Sequence, residues 1–300
     1  MTSYISSSMK DFAARGDARN PTSRDVDAAV RSPSEKEIRE ICTAEVLETD
    51  NRYFELATER ADLNGAQLVW SPDRTSIPLG CVILRVEEPE SPEQALEWLT
   101  RFEDAILDVD CRLARIYLQK SNPVLEQALT RTGYERRPEV AFVGPATAPP
   151  AGTTVSLHLM TDEADLDKMA EIDAEDSYGP DGHTADNATW NEIIRQKWRT
   201  GELSLYFIKY QEEICGTVGA MHAAHILRLK NLVVRPSYRK QGIGRAATLA
   251  LWEMAFDSGK RLAVFGVPGG GGYATYKSAG LHPTLPQDEW CKILSVETGT

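Results

Sequence analysis

The 300-residue chain has no run of eighteen apolar residues, so no segment is expected to cross a bilayer as a helix. Residues 1–10 are Ser-rich and lack the apolar stretch that a secretory leader needs. Cysteine is scarce. Cys42, Cys81, Cys111, Cys215 and Cys291 are odd in number, scattered, and nowhere spaced C-x-x-C. That argues against a disulfide framework and against a cysteine-rich zinc site. The expectation is reduced, buried thiols in a cytoplasmic protein, with no metal. Basic residues are in deficit: 33 Lys and Arg stand against 45 Asp and Glu, a formal charge of −12. Such a chain is a poor partner for nucleic acid or an anionic membrane. Neither a G-x-x-x-x-G-K-[ST] phosphate loop nor a G-x-S-x-G nucleophile elbow is present. What is there is globular, 42% hydrophobic and 26% charged, which excludes collagen-like and wholly disordered chains.

The length suits two ordinary domains. Residues 1–35 are Ser, Asp, Arg, Ala and Pro with little apolar content and read as a mobile tail. At 144–152 the sequence Gly-Pro-Ala-Thr-Ala-Pro-Pro-Ala-Gly has no charge and three prolines, which suits an inter-domain linker over 145–152. It separates a first domain, 36–144, from a second, 153–300. In the second, apolar spacing predicts a strand at 155–160, helices at 162–175 and 187–199, and a hairpin of strands at 203–210 and 214–222. A strand at 227–234, a helix at 245–256, a strand at 262–267, a helix at 273–279 and a strand at 290–296 follow. The first domain gives a fainter version of this order. Helical candidates at 37–46 and 52–61 precede strands at 66–70 and 79–86, and a helix at 92–107. A strand at 113–118, a helix at 123–132 and a strand at 139–143 complete it. Segments 122–134 and 269–281 align from helix to glycine without gaps, which reads as a remote internal duplication. The fold class is therefore α/β, two domains each with a twisted mixed sheet flanked by helices.

The sharpest local signal is Leu232-Val233-Val234-Arg235-Pro236-Ser237-Tyr238-Arg239-Lys240-Gln241-Gly242-Ile243-Gly244-Arg245. A strand ends, the chain turns, and a helix starts after two glycines. Free N–H groups of a first helical turn, with the positive end of the helix dipole behind them, bind phosphate. From 214 to 252 there is no acidic residue, while Arg228, Lys230, Arg235, Arg239, Lys240 and Arg245 are all basic. A local positive field inside a negative chain favours one specific polyphosphate ligand. The dinucleotide pattern G-x-G-x-x-G fails, because Ala247 occupies its third glycine position.

Residues 234–244 resemble the acyl-CoA-binding motif [Q/R]-x-x-G-x-[G/A] of the GNAT superfamily of N-acetyltransferases. The order of elements over 153–296 is also similar to that family's. The resemblance implies that the backbone amides of Arg239, Lys240, Gln241, Gly242, Ile243, Gly244 and Arg245 hold the CoA pyrophosphate, and that the main chain of Leu232, Val233 and Val234 pairs with the pantetheine arm. It also implies a proton donor at Tyr276, four residues before Gly280, with Tyr273 as the alternative on the same helix face. Where the family often has Asn, seven residues before that Tyr, this chain has Gly269, inside a tetraglycine. Candidates for the base are His222 and His225 near the fourth strand of the second domain, and Glu175, Asp176 and His183 after its first helix. The first domain resembles a degenerate copy. Asn122 matches the family pattern, but Leu129 stands where the acid tyrosine would be. Its loop Arg85-Val86-Glu87-Glu88-Pro89-Glu90-Ser91 has three acids and no glycine, so this half is not expected to bind CoA. The implied activity is acetyl transfer from acetyl-CoA to a primary amine of a small molecule, by direct attack in a ternary complex, in a monomer or homodimer. The alternatives are a non-catalytic CoA sensor and a peptide or protein N-acetyltransferase.

Overall fold

The computed structural model describes residues 35–72, 80–152, 154–175 and 187–294. The 1–35 tail, apart from its last residue, and the candidates Asp176 and His183 lie outside the described residues. Residues 35–294 belong to one compact unit. In chain order its first half runs α1 (Glu35–Glu55), β1 (Glu59–Asp62), β2 (Gln67–Trp70), β3 (Cys81–Leu84), α2 (Pro92–Asp108), β4 (Leu113–Leu118), α3 (Pro123–Arg131) and β5 (Glu135–Val143). The second runs β6 (Ser156–Leu159), α4 (Glu163–Ala174), α5 (Asn187–Arg199), β7 (Leu203–Tyr210), β8 (Glu213–His222), β9 (Ile226–Val234), α6 (Ile243–Asp257), β10 (Arg261–Gly266), α7 (Gly271–Ala279) and β11 (His282–Ile293).

All eleven strands form one mixed sheet, in the order β1-β2-β3-β4-β11-β5-β10-β9-β8-β7-β6. The centre of that order is an exchange. β5, from the first half, lies antiparallel to β10 of the second, and β11, from the second half, lies antiparallel to β4 of the first. The two exchanged strands pair with each other. Alternation along a strand sends neighbouring side chains to opposite faces. β5 therefore delivers Phe142 to a core with Leu227, Leu229, Leu262, Val264 and the helix α6. Ala141 and Val143 go to the other face, against Cys42 and Val46 of α1. β11 likewise carries Trp290 into the core of the first half, with Phe102, Ile116 and Leu125.

Local sequence accounts for most elements. α2 has Ser91 as its N-cap and Pro92 in its first turn, and it buries Ala95, Trp98, Leu99, Phe102 and Ile106, a helical spacing. Three segments differ from expectation. The two helices expected at 37–46 and 52–61 are a single helix, α1, followed by the short strand β1. Thr49, Asp50 and Asn51 read as a break because such residues favour turns. Here all three are buried and bonded: Thr49 Oγ1 donates to Val46 O at 2.8 Å, Lys230 Nζ to Asp50 at 2.7 Å, and Gln119 Nε2 to Asn51 at 2.7 Å. The last strand, expected from residue 290, starts at His282. Pro283 and Pro286 read as a loop, since proline cannot donate to a ladder. The strand accommodates both at a shift in its register with β5. The second half consequently ends in this one long strand, and the position beside β10 is filled by β5.

Candidate active site

The parallel strands β9 and β10 pair only at Arg261↔Ile226, Leu262↔Leu227 and Ala263↔Arg228. Beyond these the ladder stops, which leaves the β10-facing main chain of Asn231, Leu232, Val233 and Val234 without a strand partner on that side. β9 then leads through a short 3-10 turn, Pro236–Tyr238, into α6. Gly242 is the N-cap of α6. It sits in the left-handed region at φ 81°, and no side chain caps the helix. That φ favours glycine, and a Cβ there would meet nothing within 4 Å, so the space over the helix start is open. Three other helices are closed by a side chain. The Ser91 side chain accepts from the Gln94 N–H on α2, Asn122 accepts from the Leu125 N–H on α3, and Asp162 accepts from the Asp165 N–H on α4. Of the helices with described caps, only α6 and α7 begin on a glycine with no side-chain cap. The first-turn amides of α6 have no intrahelical acceptor, so they remain available to an anion.

The basic residues of the acid-free window separate in space. Arg239 Nε donates to Val234 O at 2.9 Å and Arg245 Nε to Ser278 O at 3.0 Å, which anchors both at the mouth of the loop beside exposed Lys240. Arg235 is paired with Glu175, with Nε to Oε2 at 2.9 Å, and the guanidinium holds that carboxyl below the usual carboxylate range. Arg228 and Lys230 point elsewhere, to Asp50 of α1, at 3.3 and 2.7 Å.

Where β9 and β10 separate, a cavity of about 200 Å³ opens, lined by both halves of the chain. α1 contributes Asp50, Tyr53 and Phe54, β4 contributes Arg115 and Tyr117, and β5 contributes Glu139. β9 and β10 supply Arg228, Lys230, Asn231 and Phe265, and α7 supplies Tyr276. Tyr276 is 7% exposed, and burial pushes its phenol up to about 12, so the proton stays on oxygen. Its ring packs edge-on against Phe142 of the exchanged strand β5, with centroids 6.0 Å apart. The glycines beside it make this fit. A Cβ on Gly266 would lie 3.2 Å from the Tyr273 Cα and 3.3 Å from the Phe142 and Tyr276 rings.

Charge in the cavity is concentrated and mostly compensated. Burial pushes the Asp50 carboxyl up, but the Lys230 and Arg228 charges outweigh it and bring it down to about 2. Arg115 is paired with Glu289 of β11 and donates to Tyr117 Oη at 2.9 Å. None of the acidic members of this cluster was singled out by sequence reasoning. Glu139 looks like a surface residue at the start of a strand and Asp50 like part of a break between helices, and no local pattern marks them.

The histidines lie at the opposite end of β9 from the loop. His222 ends β8, and His225 precedes β9, where it bonds Glu45 of α1 through both its ring and its main-chain N–H, the latter at 2.9 Å. Burial lowers the His222 pKa. Neither lines the cavity. Among the described residues no group of three His, Cys, Asp or Glu could hold a metal ion, and no helix is long and apolar enough to cross a membrane.

Residues 166–268 match the model of the acetyltransferase (GNAT) family. The match spans α4 to the end of β10 and includes the open loop. Solved structures share the fold over most of the chain. A functionally unknown conserved protein of Staphylococcus epidermidis is 10% identical with a TM-score of 0.64, over 80% of this chain and 96% of its own. A GCN5-related N-acetyltransferase of Kribbella flavida is 16% identical with a TM-score of 0.60, over 83% of this chain and 95% of its own. A tandem GNAT protein from the clavulanic acid biosynthesis pathway is 12% identical with a TM-score of 0.51, over 77% of this chain and 79% of its own. No curated protein sequence matches the chain.

Proposed function

We propose that this chain binds acetyl-CoA on the open start of α6 and transfers the acetyl group to a primary amine of a small molecule. The observation that carries the reading is the continuity of three features along one path. The uncapped, glycine-led helix start lies at the end of β9. The unpaired main chain of Leu232–Val234 follows, and then the cavity with Tyr276. The space over Gly242 accepts a ligand that a side chain would displace, so the residues present fit a pyrophosphate. The cavity volume of about 200 Å³ supports a small acceptor over a folded protein surface.

Acetyl-CoA supplies an activated acetyl group; the chain's own residues orient it and manage protons. Tyr276, held neutral by burial, keeps a proton at its phenolic oxygen for the departing sulfur. The first half repeats the pairing scheme of the second, an antiparallel run, a short parallel pair and then a strand from the other half. This supports its reading as a duplicated copy. Its helix α2 is closed by Ser91, and Arg85 is bound to Glu48 and Glu55, so no open anion loop is left there.

Calorimetry with acetyl-CoA tests the binding site, and thiol release against a panel of amines tests transfer. Tyr276→Phe should lower kcat by about 10²-fold while leaving the acetyl-CoA Kd within twofold. Unchanged turnover removes Tyr276 from proton transfer, and an absence of saturable acetyl-CoA binding by the wild type removes the reading as a whole.

A further inference from the structure

Glu139 sits on β5, the strand that the first half inserts beside β10, and its carboxyl lines the same cavity as Tyr276. The other carboxylate lining it, Asp50, is held by Lys230 and Arg228, and Glu289, outside the lining, is held by Arg115. Among the described residues Glu139 has no basic partner in ion-pair contact. Its one hydrogen bond is from Gln287 Nε2 at 3.4 Å, a neutral amide that also donates to Asp50 at 3.0 Å. An unpaired carboxylate facing a cavity lacks a cation that a ligand can bring.

Resting on the acetyl-transfer reading above, we propose that Glu139 receives the ammonium group of the acceptor and takes its proton, so that the catalytic base comes from the first half of the chain. One proton passes from the ammonium to the Glu139 carboxylate. The freed nitrogen lone pair forms the C–N bond to the acetyl carbon as the C–S bond breaks. Tyr276 gives its phenolic proton to the departing sulfur, and the second nitrogen proton restores the phenol by way of solvent. Glu139 then releases its proton to solvent. The sum is ammonium plus thioester giving amide, thiol and one proton.

The surroundings tune Glu139 for this role. Burial raises its pKa to about 7, followed by the negative charges of Asp50 on α1 and Glu289 on β11. The positive charges of Lys230 and Arg228 on β9 oppose the rise. Arg115 and Tyr117 on β4, Tyr53 on α1 and Tyr276 on α7 complete the titratable lining. A base with a pKa near the working pH is both available and strong enough to hold a proton. The folded state binds this proton more tightly than the unfolded chain does. Stability attributable to the group is therefore present below the ordinary carboxylate range and is lost as pH rises through about 7.

The test uses the full chain, with n-butylammonium as the amine probe and 1-butanol as its neutral counterpart. Calorimetry should show that the CoA-saturated wild type binds n-butylammonium at least tenfold more tightly than 1-butanol, and that Glu139→Gln removes the difference. Acetyl-CoA affinity should stay within twofold in the variant. With n-butylamine as acceptor, the wild-type log kcat/KM should bend near pH 7, while Glu139→Gln should be at least 30-fold slower and show no bend there. Glu139→Asp should restore the bend at a reduced rate. The Tm of Glu139→Gln relative to wild type should be higher at pH 8 than at pH 5, which checks folding and titration without activity. A wild type that binds acetyl-CoA but does not prefer the ammonium, or a Glu139→Gln variant that keeps the bend, overturns the proposal and leaves the cofactor site standing. A wild type that fails to bind acetyl-CoA overturns both.

Discussion

Lys197 shows how much a single side chain decides here. It is fully buried, and its Nζ donates to the main-chain oxygens of Tyr53 at 2.7 Å, Phe54 at 3.3 Å and Leu56 at 2.8 Å. These are carbonyls at the C-terminal end of α1, which a helix cannot satisfy from within. A lysine of the second half thus caps a helix of the first, directly behind the wall of the cavity that Tyr53 and Phe54 form. Lys197→Met keeps the length and removes the donors. It should cost about 3 kcal/mol of stability, read as a lower urea midpoint, because several buried acceptors lose their partner. A midpoint unchanged within error would show that water replaces the ammonium. In the sequence Lys197 sits in the last turn of an amphipathic helix, where a lysine reads as solvated; nothing local announces its burial.

At the scale of elements, the contrast between α2 and α6 shows what closes one helix start and leaves another open. Both follow a strand and a turn. α2 closes its own first turn through Ser91 and Gln94, and α6 begins on a left-handed glycine with no side-chain cap. This difference is readable in sequence, because caps are local and glycines are explicit. The strand, the turn and the helix of the anion loop therefore appear where expected, with the helix beginning at Ile243 against an expected 245. A Cβ on Gly244 would make only ordinary contact, 3.5 Å from the Thr275 Cγ2. Gly244→Val should accordingly shift Tm by only a few degrees while weakening acetyl-CoA binding at least 100-fold by calorimetry, since the added methyls enter the space a pyrophosphate needs. Binding retained at wild-type strength would mean that the anion sits elsewhere. The tetraglycine was less legible. It reads as a flexible loop, yet Gly271 and Gly272 open α7, and the Gly272 Cα lies where a side chain would press on the Tyr276 ring, 3.3 Å away.

At the scale of the molecule, the exchange of β5 and β11 makes each half depend on the other. β5 gives β10 its outer hydrogen-bonding partner, supplies Phe142 against Tyr276 and brings Glu139 into the cavity. In return β11 completes the first half with Trp290 and with the buried Arg115–Glu289 pair. A chain restricted to residues 145–300 would expose the edge of β10 and leave β11 without either neighbour. Unpaired edges of that kind associate. Such a fragment should aggregate on size-exclusion chromatography, and co-expression with residues 1–144 should restore a soluble species that binds acetyl-CoA. A monodisperse 145–300 fragment with native-like circular dichroism would show that the exchange is dispensable.

The sequence by itself determined what is set within a few residues of itself: the helical and strand periods, the caps, the glycine-led helix start, and through them the resemblance of the second half to the acetyltransferase (GNAT) family. It also marked the Gly-Pro-Ala-Thr segment as a divider, although the sheet runs on past it without interruption. Tertiary structure alone decided the strand order, the fusion of two expected helices into α1, and the meeting of Asp50, Glu139, Arg228 and Tyr276 around one cavity. The physical reason is range. Hydrogen-bond caps and backbone torsions act between near neighbours in the chain. Pairing across a sheet, and the burial that moves a carboxyl toward neutrality, depend on residues from dozens to well over a hundred positions apart that no local pattern connects.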